Sequence, residues 1–156
     1  MDLPSWGLGL ALIVLTIAIH TTAVVLLAFS LEKRIRIRVS TSKPDLRRAI
    51  PTVISHIGAV ALILAALHGL EGVLWAAAYW WLGALASFTD ASVFSLATMT
   101  TFELPGLTLP SRFYMLSALE TVNGALLFGI STAFLFAVIQ VHWQLLASRH
   151  PGLPAR

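Results

Sequence analysis

The chain has 156 residues, of which 58% are hydrophobic and 11% charged, with a formal net charge of +3 and a mean hydropathy of +0.86. A soluble domain carries about 25% charged residues, so the composition argues against an ordinary soluble enzyme and for an integral membrane protein. There is no cysteine, which excludes disulfides and thiolate metal sites.

The charges are clustered. Leu3–Leu31, Ala49–Leu70, Gly72–Thr89 and Thr121–Ser148 contain no Lys, Arg, Asp or Glu. A helix that crosses a bilayer needs about 20 apolar residues. The first span is expected at about Trp6 to Leu31. Only Asp2 precedes it as a charged side chain, which does not suit the basic start of a signal peptide. A basic linker comes next, about Glu32 to Arg48, holding seven of the ten basic residues: Lys33, Arg34, Arg36, Arg38, Lys43, Arg47 and Arg48. It reads as a topology marker and lipid-headgroup contact, not as a nucleic-acid surface. Within it, Arg34–Val39 alternates strictly between basic and apolar residues. That pattern fits a short strand and equally a helix end with snorkelling arginines.

The second span lies within about Ala49 to Leu85, longer than one perpendicular crossing requires, with Pro51 suited to a first turn or an early kink. Tyr79, Trp80 and Trp81 read as an interfacial anchor. Asp90 is placed to cap a short helix from Ala91 to about Thr100. The last span is about Ser111 to Ala147, entered after Pro110. The chain thus divides into three segments: 1–48, a spanning helix with its linker; 49–147, the main unit; and 148–156, a short tail. Basic loops stay cytoplasmic, which sets the N-terminus outside, the linker inside, the 91–110 segment outside and the C-terminus inside.

The segment between the last two spans, Ala91-Ser-Val-Phe-Ser-Leu-Ala-Thr-Met-Thr-Thr-Phe-Glu-Leu-Pro-Gly-Leu-Thr-Leu-Pro110, is short and rich in hydroxyls. Phe94 to Thr101 resembles, without a gap, the aromatic-Ser-x-x-Thr-x-Thr-Thr lead-in of the potassium-channel pore superfamily. With Trp75–Tyr79, Glu120–Gly124 and Phe128–Ala133, it resembles the small bacterial two-transmembrane ion-channel group. The resemblance implies an all-helical membrane protein with a re-entrant pore helix and filter, and a tetramer around a central pore. It departs at the filter itself, where Glu103-Leu104-Pro105-Gly106 stands in place of Gly-Tyr-Gly-Asp.

That departure has a physical consequence. A potassium filter replaces the ion's water with rings of backbone carbonyls, and glycine permits the angles that aim them. Proline fixes φ near −65° and biases the preceding residue toward an extended conformation, so a carbonyl cage is not expected past Phe102. Thr100 and Thr101 could still supply an inner ring. Thr101-Phe102-Glu103 resembles the Thr-Leu-Glu core of bacterial sodium-channel filters, which implies a carboxylate ring at Glu103. Two carboxylates about 8 Å apart repel by roughly 2 kcal/mol at an effective dielectric of 20, so such a ring recruits cations. The other reading turns Glu103 toward Arg112 at the outer rim.

Glu120 reads either as a brace behind the filter, bonded to hydroxyls such as Thr98 or Thr100, or as a partner of Arg112. Gly124 and Gly129 are hinge or close-packing positions, with Gly124 favoured as the hinge. Ile130, Phe134 and Val138 recur at i, i+4 and i+8, as a gating constriction or an ordinary apolar contact. His20, His68 and Glu71 share one depth, with His68 and Glu71 on one helix face. They are expected to meet in a buried polar cluster, with a metal site or proton relay as the less favoured reading. His56, His142 and His150 are expected at the periphery. Nothing forms a nucleophile–base set, so no enzyme is expected, and no cofactor beyond permeating monovalent or divalent cations. The function expected is a cation channel, conducting hydrated sodium, calcium or mixed cations. The alternative is a non-conducting protein that keeps the pore-domain arrangement for assembly.

Overall fold

The structure is a computed structural model, and it describes residues 3–39 and 46–147. Among these residues four helices occur in order: α1 (Leu3–Val39), α2 (Leu46–Trp81), α3 (Phe88–Met99) and α4 (Tyr114–Ala147), the last entered through a 3₁₀ turn at Ser111–Phe113. No strand occurs among the described residues. The alternating Arg34–Val39 segment is helical and closes α1. Residues 40–45 of the linker, the 148–156 tail and with it His150 lie outside the described residues.

Three helices are long and apolar enough to cross a bilayer, over Ser5–Leu31, Ile50–Trp81 and Ser111–Gln144. Their side chains are arranged inside out. Leu62 is 73% exposed and Trp81 78%, while His20, Glu71, Ser95, Glu120 and Asn123 are fully buried. In water such a surface would be an aggregation liability. In a bilayer, apolar residues face lipid and polar groups must find partners inside the protein.

Pairs of contacting residues give the helix directions. Tyr79 meets Glu120 and His68 meets Ser131, so α2 and α4 run antiparallel. Thr16 meets Asn123 and His20 meets Ser131, so α1 runs with α4. One apolar cluster, which includes Leu12, Trp75, Tyr79, Ala91, Leu109, Phe113 and Leu116, closes the end of the bundle where α3 sits. A second, built on Val60, Leu64 and Val138, closes the other end.

Of the Ile130/Phe134/Val138 stripe, Phe134 and Val138 turn inward and Ile130 is half-buried. Val138 is buried against Val60 and Leu64, and Phe134 packs on the same cluster. A constriction at Val138 is therefore not what the fold presents; the residue belongs to the contact between α4 and α2. His142 is also buried, edge-on to the half-buried His56 with ring centroids 5.9 Å apart.

The two glycines of α4 differ in surroundings. A Cβ at Gly124 would stand 2.8 Å from the Met99 Cα, on the backbone at the end of α3, whereas one at Gly129 would meet nothing within 4 Å. Backbone cannot yield as a flexible side chain does, so Gly124 is a seat for α3. The expected outcome is that Gly124→Ala destabilises the fold by about 1–3 kcal/mol through overpacking. Gly129→Ala should be neutral or stabilise it by up to about 1 kcal/mol through helix propensity. Thermal unfolding of both variants in detergent micelles checks the contrast.

Candidate functional site

The site grows from the two ends of α3. Its start is capped by Ser87, which accepts from the Asp90 backbone N–H at 3.0 Å while its hydroxyl donates to Asp90 Oδ2 at 2.7 Å. Ser87, not Asp90, is thus the cap, and the helix begins at Phe88. Ser-x-x-Asp ahead of an apolar run carries that signal in sequence.

The end of α3 repeats the end of α2. In α2 the Ala84 N–H donates to Tyr79 O and the Gly83 N–H to Trp80 O, with Gly83 at φ +65. In α3 the Phe102 N–H donates to Ala97 O at 2.8 Å and the Thr101 N–H to Thr98 O at 3.0 Å, with Thr101 at φ +60. Both are Schellman caps, which want glycine at the left-handed position. A β-branched residue there is an outlier, strained by roughly 1–2 kcal/mol. The Thr100 hydroxyl donates back to the carbonyls of Leu96 and Ala97, which keeps it within the helix.

Beyond the cap the chain makes one tight turn. The Leu107 N–H reaches Leu104 O at 3.4 Å, with Pro105 second and Gly106 third at φ +86. Pro followed by a positive-φ Gly is the type II signature. Phe102 to Gly106 therefore form a cap and a turn, not a row of aligned carbonyls. The loop is pinned by Leu109, buried with Phe113 and Leu116. An open hollow of about 610 Å³ lies between the loop and α4, lined among others by Thr98, Thr101, Glu103, Ser117 and Thr121. Glu103 is exposed there. Arg112 is exposed too, its guanidinium 4.7 Å from the Phe113 ring centroid. Among the described residues no ion pair joins Arg112 to Glu103 or to Glu120.

Glu120 braces α3 from behind. Its partners are the hydroxyls of Tyr79 on α2, at 2.7 Å, and Ser95 on α3. Ser95 Oγ also lies 2.8 Å from Gly72 O. The expected brace exists, but its hydroxyls are Ser95 and Tyr79 and not Thr98 or Thr100. Tyr79 is fully buried and is not an interfacial anchor. Two hydroxyl hydrogens serve three contacts, and a hydrogen on the group at position 120 would supply the third.

One layer further along the bundle, His20, His68 and Glu71 do meet. The His20 Nδ1–H donates to Glu71 Oε1 at 2.9 Å, and His68 Nδ1 stands 3.3 Å from Glu71 Oε2. Ser131 Oγ lies 3.0 Å from His20 Nε2 and 3.1 Å from His68 Nε2. His68 stacks on Phe128, with ring centroids 4.2 Å apart. Sequence reading gave Ser131, Asn123 and Thr16 no role of their own and misread Tyr79 as an interfacial anchor. The available signal was that each is a polar group in an otherwise apolar span, where such groups face protein.

No family model matches the chain, and no match to it was found among curated proteins or solved structures.

Two outcomes are expected. Thr101→Gly should raise stability by about 1 kcal/mol, since Gly takes the left-handed cap without the Cβ clash; thermal unfolding tests it. Tyr79→Phe should lower stability by about 1–3 kcal/mol by stripping a buried acceptor of its donor. Ser95→Ala should do the same, and the pair should be non-additive because both act on Glu120. Glu120→Gln should be the mildest change at that position, since its amide donates the third hydrogen. A double-mutant cycle in detergent measures the coupling.

Proposed function

We propose that the chain is one subunit of a tetrameric cation channel in the cell (inner) membrane, with α3 as a re-entrant pore helix and Glu103 lining a wide, hydrated filter. The observation that carries this reading is the placement of α3 and of the loop after it. A helix of 12 residues spans about 18 Å at 1.5 Å per residue, against a hydrocarbon core of about 30 Å. It nevertheless packs on both α2 and α4. Because those two run antiparallel, the segment from Leu82 to Pro110 leaves and rejoins the same side of the membrane. The basic linker sets that side as extracellular, with the N-terminus outside and the C-terminus cytoplasmic.

Electrostatics supports a cation. Ala97, Thr98 and Thr101, at the C-terminal end of α3, line the hollow, and the last turn carries no basic residue. A helix C-terminus bears about half a negative charge. Glu103 adds a full one beside it. Four copies about an axis would hold a hydrated cation among carboxylates and threonine hydroxyls. Without aligned carbonyls, the filter has no means of stripping water from potassium in preference to sodium. The second reading, a non-conducting protein that keeps the arrangement for assembly, draws on the tight Pro105–Gly106 turn beside the permeation axis.

Reconstitution into liposomes with sodium, potassium and calcium gradients tests the proposal. The expected result is cation flux with no more than a few-fold preference for potassium over sodium. Glu103→Gln should weaken divalent binding and reduce the preference for cations over anions. Well-assembled protein that passes no ion favours the assembly reading. A reversal potential that tracks potassium alone overturns the hydrated filter.

A further inference from the structure

The geometry points to a transition-metal site of the zinc type at His20, His68 and Glu71, separate from the pore and independent of whether the pore conducts. Three helices are involved: α1 supplies His20, α2 supplies His68 and Glu71, and α4 supplies Ser131 behind them. His20 and Glu71 are fully buried, and His68 and Ser131 are each 8% exposed.

The donor atoms converge. His20 Nδ1, His68 Nδ1 and the two oxygens of Glu71 form a set of two imidazole nitrogens and one carboxylate, with ligand atoms of the three residues within 4.8 Å of one another. Metal–donor bonds of about 2.1 Å put neighbouring donors about 3.0–3.4 Å apart, by octahedral or tetrahedral geometry. The observed separations are 2.9 Å from His20 Nδ1 to Glu71 Oε1 and 3.3 Å from His68 Nδ1 to Glu71 Oε2. Both lie close to that range. A shift of about 1.5 Å at the imidazole nitrogens would bring the widest pair onto such an edge. Two imidazoles with a carboxylate are an established zinc donor set, and nitrogen–oxygen donors also suit cobalt, nickel and copper.

Two further observations point the same way. His68 Nδ1 and Glu71 Oε2 are buried and make no hydrogen bond, although they face each other. Polar atoms enclosed by apolar helices are costly in that condition, and a shared cation would satisfy both. On the far side of the rings, both Nε2 atoms meet the single hydroxyl of Ser131. Coordination through Nδ1 places the ring hydrogen of each histidine on Nε2. Ser131 Oγ, with two lone pairs, then accepts from both. That is the outer support which metal-bound histidines use to fix tautomer and orientation. The ring of four contacts needs four hydrogens, whereas two neutral imidazoles and one hydroxyl supply three. An added proton could close it as well, and the experiment separates the two.

The test uses the full chain, purified in detergent with an affinity tag that contains no histidine. After dialysis against zinc chloride and removal of free ion, the expected content by atomic emission is one zinc per chain. Cobalt(II) in its place should give the visible d–d absorption of a low-coordinate nitrogen–oxygen site. His20→Gln and Glu71→Gln keep size and hydrogen-bonding capacity, so the fold should persist while bound zinc falls at least tenfold. Ser131→Ala should retain the site with affinity lowered about 10–100-fold. Folded wild-type protein that takes up neither ion overturns the proposal. If its unfolding temperature also varies with pH in a way that His20→Gln abolishes, the ring is closed by a proton instead. Zinc that survives Glu71→Gln and leaves with His142→Ala also overturns it, by assigning the ion to the His56–His142 pair.

Discussion

Two carboxylates inside a hydrocarbon-facing bundle set the terms for everything else. Glu71 and Glu120 are both fully buried, and an intramembrane carboxylate is costly unless donors from the protein surround it. Apart from His68, three residues before Glu71 on α2, the groups that face these carboxylates come from neighbouring helices. Glu120 of α4 takes Tyr79 from α2 and Ser95 from α3. Glu71 of α2 takes His20 from α1, and Ser131 of α4 holds the far side of that ring. Two polar knots thus tie together all four helices. Apolar side chains, exposed outward in abundance, could not do so, because lipid tails offer them the same environment as another helix.

The knot at Glu120 explains how a helix of three turns holds a fixed pose. α3 is too short to gain much from propensity alone. Its start is closed by Ser87 and Asp90, its middle is held by Ser95, and its end rests on the bare backbone of α4 at Gly124. Three constraints on twelve residues leave its C-terminal turn with little freedom. That rigidity is what can sustain Thr101 in a left-handed conformation which α2, at the equivalent place, assigns to Gly83. Local strain persists only where the surroundings over-determine it, and it concentrates at functional positions.

The spans and their order were legible because long charge-free runs have few other physical meanings. The meeting of His20, His68 and Glu71 was legible from depth: polar residues at one level of an apolar bundle have only one another to turn to. The brace at Glu120 was legible in kind but not in its partners. Choosing Thr98 or Thr100 over Ser95 required the rotation of α3, which sequence does not carry, and Thr100 satisfies itself on its own helix carbonyls. Tyr79 misled because tyrosine beside two tryptophans has the composition of an interfacial belt. Only Trp80 and Trp81 are exposed, while Tyr79 points inward. The alternation at Arg34–Val39 has period two, yet α1 continues through it. A pattern of six residues carries little weight against a helix already propagating.

The inward stripe of α4 limits where a permeation path could run. Leu116, Glu120, Asn123, Leu127, Ser131, Val138 and His142 are all buried within the chain. The opposite face carries Val122, Leu126, Gly129, Ala133, Phe136 and Gln140, all exposed and spaced three or four apart. If copies assemble around an axis with α4 innermost, only this second face is left to line it. The same division reassigns the glycines. Gly124 sits on the backbone of Met99, so a bend there would drive α4 into α3 or lift it away. Gly129 lies on the exposed face, where an added Cβ would meet nothing within 4 Å, five residues past that seat. A bend at Gly129 would leave the brace at Glu120 and the seat of α3 undisturbed while moving the lower half of the helix. Gly124, favoured by sequence as the hinge, is therefore fixed by its contact with α3, whereas Gly129 stands where an added side chain would meet no neighbour.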